Sequence, residues 1–72
     1  MPLTVADKGS TFRIYKVGGK DETQRFLESL GFVVGATVTV ISEIDGNMIL
    51  KIKDSRIALD KKMASRIMVQ AA

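Results

Sequence analysis

Residues Asp21 to Gly35, DETQRFLESLGFVVG, decide the fold. Asp21 suits an N-cap, since its carboxylate can accept hydrogen bonds from the unpaired N–H groups of a first helical turn. Gln24 stands three positions later, where a capping box places Glu or Gln. Phe26, Leu27 and Leu30 follow at helical spacing and make one apolar stripe. Gly31 falls just past the last of them, where a left-handed backbone ends a helix and glycine adopts it at least cost. With Leu30 as C-cap, Phe32 lies at C″ and Leu27 at C3, the pair that makes the apolar contact of a Schellman ending. Gly35 marks a second turn. The stretch predicts a helix over 21–30 that stops abruptly and hands over to a strand.

Upstream of this stretch, STFRIYKV over residues 10–17 alternates, with Phe12 and Ile14 on one face and Thr11, Arg13 and Tyr15 on the other. This period of two reads as a strand, broken by Gly18-Gly19. Upstream, Leu3 and Val5 are expected to pack over one end of the core, in a single helical turn capped by Thr4. Downstream, TVTVISEI over 37–44 is the strongest strand signal, with Val38, Val40 and Ile44 sharing a face. Asp45-Gly46-Asn47 is a hairpin turn, because Asp-Gly supplies the positive φ of the primed turns. Met48 to Lys53 returns as a strand, with Met48, Leu50 and Ile52 inward and Ile49, Lys51 and Lys53 outward. Asp54-Ser55 turns again, and Arg56 to Leu59 makes a short third strand of the meander. Asp60 caps a short helix over about 60–66, Ile67 to Val69 form a last strand, and Gln70 to Ala72 are expected to fray. About five short strands, with one capped helix between the first two and a short helix before the last, predict a mainly β, partly closed SH3-like barrel over residues 1–72.

Composition narrows the chemistry. A chain of 72 residues is one small domain, which buries roughly 60% of its unfolded surface. It contains no cysteine and no histidine, which removes disulfides, thiolate metal sites and the commonest general base together. No nucleophile–base spacing stands out among the remaining residues, so an enzyme is not expected and no catalytic residue is assigned. Gly18-Gly19-Lys20 precedes a helix but matches neither a P-loop nor a dinucleotide fingerprint, and reads as a turn. Asp21, Glu22, Glu28, Glu43, Asp45, Asp54 and Asp60 have roles as caps, turn formers or solvated charges. No metal ligand set is assigned among them, and no cofactor beyond weak surface binding of a divalent ion such as iron.

The net charge of +3 favours an acidic partner. Arg13, Tyr15, Lys51, Lys53 and Arg56 are the candidate docking residues, on outward strand faces. Arg13, Tyr15 and Lys16 also combine charge with a stacking surface, but with few aromatics available nucleic acid is not the expected partner. The amino-terminal MPLTVADKGS lacks the basic and long apolar regions of a signal peptide, and no apolar run approaches a membrane span. A cytoplasmic location is the expectation.

The segment Arg25-Phe26-Leu27-Glu28-Ser29-Leu30-Gly31-Phe32, followed by two valines, Gly35 and the strand Val38 to Ile41, resembles the FeoA family of small ferrous iron transport domains. The resemblance resumes at Ile57-Ala58-Leu59-Asp60, then a short charged helix with Ala64 and the closing Ile67-Met68-Val69. It covers Leu3 to about Val69 in the family's order. It implies an SH3-like domain in bacterial iron uptake, a cytosolic partner in the GTP-binding part of the FeoB permease, and attachment to the membrane only through that partner. Asp21, Leu27, Leu30, Gly31, Phe32 and Gly35 are then architectural. An arginine acting in trans on GTP hydrolysis would be Arg56 or Arg25. Two alternatives stay open: a small nucleic-acid-binding barrel, and a divalent-metal-responsive module akin to the C-terminal domain of iron-dependent repressors.

Overall fold

The computed structural model describes all of residues 1–72. A 3-10 turn at Leu3–Val5 leads into β1 (Thr11–Val17), α1 (Asp21–Ser29), β2 (Thr37–Ile44), β3 (Asn47–Ile52), β4 (Ser55–Asp60), α2 (Lys61–Ala64) and β5 (Ile67–Ala71). The strands form one antiparallel sheet in the order β4-β3-β2-β1-β5. β4 and β5 are not bonded to each other, so the expected barrel is an open sheet. At the β5 margin Pro2 bridges Met68 and the Val69 amide donates to the Met1 carbonyl at 2.7 Å. At the other margin β4 pairs with β3 alone.

The close of α1 follows the predicted grammar. Gly31 N–H donates to the Glu28 carbonyl at 3.0 Å and Phe32 N–H to the Leu27 carbonyl at 3.0 Å, the two bonds of a Schellman ending. Gly31 has φ +104°, which a side chain resists. Leu27 and Phe32 are both fully buried. The loop beyond is fastened to β1, with Gly35 N–H donating to the Ile14 carbonyl and Ile14 N–H to the Ala36 carbonyl. The hairpin after β2 also forms as expected, with positive φ at Asp45 and Gly46.

The start of α1 departs from expectation. Asp21 is the first helical residue, and Lys20, which makes no side-chain cap bond, holds the N-cap position. Gln24 completes no capping box; its Nε2 donates to the Val17 carbonyl at 2.9 Å and ties the helix to the end of β1. The Gly18-Gly19 link is so short that one residue separates the last glycine from the helix, so Asp21 is drawn into the first turn. Its charge there still suits the helix dipole. Phe26 is not core: it is 50% exposed, because a nine-residue helix buries a stripe only as wide as Leu27 with flanking Thr23, Gln24 and Leu30.

Smaller departures have local causes. Thr4 lies inside the 3-10 turn, which Pro2 precedes as N-cap, and Val5 points outward at 62% exposure while Leu3 is buried. In β2 the register shifts between Val40 and Ser42, which reverses the alternation and leaves Ile44 56% exposed. Lys53 has φ +53° and sits in the turn between β3 and β4, not on the face of β3. Asp60 caps α2 as expected, its Oδ1 accepting from Met63 N–H at 2.8 Å, but the helix ends at Ala64. Gln70 and Ala71 do not fray; they pair with Arg13 and Phe12.

Candidate functional site

All fourteen buried side chains are apolar, and they come from every strand together with Leu3, Leu27, Phe32 and Ala64. No ionisable group lies inside the molecule, so its recognition chemistry is on the surface.

The register of the sheet sorts the candidate docking residues. Thr11 stands opposite Thr39, Thr39 opposite Lys51, and Lys51 opposite Arg56, so these four form one outward row across β1, β2, β3 and β4. The Thr11 and Thr39 hydroxyls are bonded at 2.9 Å. Lys51 and Arg56 are direct cross-strand neighbours of like charge, and neither has a carboxylate within 4 Å, since the one ion pair in the molecule is Lys61–Glu43 at 2.6 Å. Like charges held opposite each other repel unless something anionic lies over them. Lys53 extends this group from the turn. Arg13 is displaced along β1, flanked by Thr37 and Gln70. Arg25 and Arg56 are both exposed, one on α1 and one on β4. The sheet thus brings together Lys51, Arg56 and Lys53, and leaves Arg13 and Tyr15 apart from them.

Tyr15 belongs to a different feature. The register of β1 on β5 shifts between Ile14 and Lys16, with Ile14 opposite Val69 and Lys16 opposite Met68. The extra residue puts Tyr15 and Lys16 both on the outer side, so that Val17 turns back inward opposite Ile67. Beside this bulge is a cleft of about 450 Å³ lined by Tyr15, Lys16, Gly18, Gly19, Ser65, Arg66 and Met68. Gly18 N–H donates to the Arg66 carbonyl at 2.7 Å and joins the two walls. Arg66 is half-buried, its stem lying over Gly19, where a Cβ would come within 2.8 Å of Arg66 Cδ. The guanidinium of Arg66 and the ammonium of Lys16 are both without ionic partners.

Arg66 and Met68 were not singled out by sequence reasoning. One signal was available: strict alternation from Phe12 and Ile14 would place Lys16 in the core, and a lysine there marks a bulge. Among the acidic residues, no three carboxylates gather in an arrangement that holds a metal ion.

A family model described as the FeoA domain matches residues 1–71. A protein of Methanocaldococcus jannaschii, provisionally named Fe(2+) transport protein A, is 31% identical over 71 residues, covering 99% of this chain and 87% of that protein. The crystal structure of an iron uptake regulatory protein, FeoA, superposes with a TM-score of 0.90 at 28% identity, over 97% of this chain and 93% of the other. A zinc complex of Stenotrophomonas maltophilia FeoA, described as a prokaryotic SH3 domain protein, superposes with a TM-score of 0.85 at 24% identity, over 97% and 89% of the two chains. The SH3-like architecture is thereby borne out.

Proposed function

The chain belongs to the FeoA family, and from that membership we propose that it is a non-enzymatic accessory protein of ferrous iron uptake, which binds the cytosolic GTP-binding part of a FeoB-type permease and modulates transport. The observation that carries the reading is the match of the family model across residues 1–71, nearly the whole chain. The M. jannaschii relative, whose name places it in Fe(2+) transport, supports the same pathway. The surface suits such a role. Lys51 and Arg56 on the outer side of the sheet, with Lys53 in the adjoining turn, present uncompensated positive charge, a pattern that steers an acidic partner and speeds encounter. Arg13 and Tyr15 on β1 stand apart from this group and form a second part of the proposed surface. The protein works in the cytoplasm and meets the membrane through its partner; no helix of the chain is long and apolar enough to cross a membrane.

The reading is tested by NMR titration of the isotope-labelled domain with the purified cytosolic part of its own permease. Saturating shifts confined to one face, at micromolar to millimolar partner, are expected. Absence of shifts with both that part and the intact permease in detergent micelles sinks it.

A further inference from the structure

We propose that the cleft beside the β1 bulge is a binding site for an acidic peptide segment, with Arg66 and Lys16 pairing to a carboxylate and Tyr15 and Met68 covering the apolar stem beside it. The lining contains two unpaired cations, one aromatic ring, one thioether and no carboxylate. Arg66, half-buried as a residue, is the stronger of the two anchors. Its planar fork can meet a carboxylate with two parallel bonds. Packing of its stem over Gly19 limits the freedom the side chain must lose on binding, which lowers the entropic cost of the contact. The Gly18–Arg66 hydrogen bond holds the two walls at fixed spacing, so the site is largely preformed.

The composition of the cleft favours a peptide over a nucleic acid. Nucleic-acid grooves track successive phosphates with several cations and stack bases on several aromatic rings. Here Lys16 and Arg66 line the cleft, the Met1 ammonium lies 3.4 Å from the Tyr15 hydroxyl, only one aromatic ring is present, and Asp21 and Glu22 follow Lys20 at the start of α1. One carboxylate fits this charge pattern, and a run of phosphates does not.

As to partner, the inference rests on the permease reading above: the basic row steers an acidic surface, and the cleft anchors one of its acidic segments. As to ligand chemistry it stands alone. The labelled domain is therefore titrated with an acetylated, amidated hexapeptide of alternating Glu and Leu, with its Gln counterpart, with inorganic phosphate, and with the permease's cytosolic part. The Glu peptide is expected to move the amides of Gly18, Gly19, Ser65, Arg66 and Met68. The Gln peptide is not. Arg66→Glu, checked for an unchanged fold by its spectrum, should weaken binding at least tenfold, and Arg66→Lys should fall between it and the unaltered protein. An unresponsive cleft at millimolar Glu peptide overturns the proposal. So do equal shifts with phosphate, which would mark a general anion site. Permease binding with shifts confined to Lys51 and Arg56 overturns the anchoring role. A cleft that answers the peptide in a domain that ignores the permease overturns the partner and leaves the ligand chemistry standing.

Discussion

The amide of Phe32 donates to the carbonyl of Leu27 at 3.0 Å, and both side chains are fully buried. This bond couples the end of α1 to the core through the one residue between them that needs a left-handed backbone. A Cβ at Gly31 would meet Ile52 Cγ1 at 3.6 Å, an ordinary contact, so the obstacle to substitution is φ +104° and not space. Gly31→Ala is expected to lose about 1–2 kcal/mol in urea denaturation. Gly31→Asn should lose less, because Asn tolerates that backbone better. Equal stability of the alanine variant would refute the assignment.

The two phenylalanines of this segment should behave oppositely. Phe32→Ala removes a fully buried ring at a cost of about 3–5 kcal/mol, a large part of the roughly 4–10 kcal/mol available to a domain of this size. Phe26→Ala removes a half-exposed ring and should cost under about 1 kcal/mol. Thermal melts of both variants decide the matter, and a severe loss at Phe26 would contradict its placement.

Helix capping offers a second contrast. Asp60 accepts from Met63 N–H at 2.8 Å, so Asp60→Ala should cost about 1 kcal/mol. Asp21 makes no cap bond and contributes through the helix dipole alone, so Asp21→Ala should cost about half as much or less. Paired denaturation curves in low and high salt separate them, because only the Asp21 contribution should fade with salt.

The Lys51–Arg56 pair predicts that stability and binding part company. Lys51→Glu turns a like-charge cross-strand pair into an opposite one and should stabilise the fold by a few tenths of a kcal/mol at low salt. The same change removes positive charge from the row that steers the partner. Association with the permease's cytosolic part should slow several-fold while dissociation changes little. Stopped-flow or surface-binding kinetics would show it, and an unchanged association rate would remove the row from the docking path.

Much of this fold was legible because its signals are local. The Leu30-Gly31-Phe32 ending, the Asp45-Gly46 turn, the Asp60 cap and the inward sets of β1 and β3 each depend on neighbours a few residues apart. Misplacements arose where pairing partners distant in sequence intervene. The extra residues in β1 and β2 moved Lys16 and Ile44 from the face that alternation assigns them, and the cleft exists only because residues 65–68 return beside residues 15–19. Arg66 carries no mark of its own in a helix-to-strand link. Asp21 failed as a cap by one position, because the brevity of the Gly18-Gly19 link, rather than the cap preference of the side chain, sets where the helix starts.

The two margins of the sheet are unlike. Met1 and Pro2 lie along β5, whereas β4 has an unpartnered side. Polymerisation by strand addition needs two open margins on every molecule, one to receive and one to donate. Here Met1 and Pro2 meet the β5 margin only at Met68 and Val69, and the β4 margin is unpaired. An added strand therefore finds paired backbone groups at Met68 and Val69 on one margin and an unpaired strand on the other, so the β4 margin is the more receptive of the two.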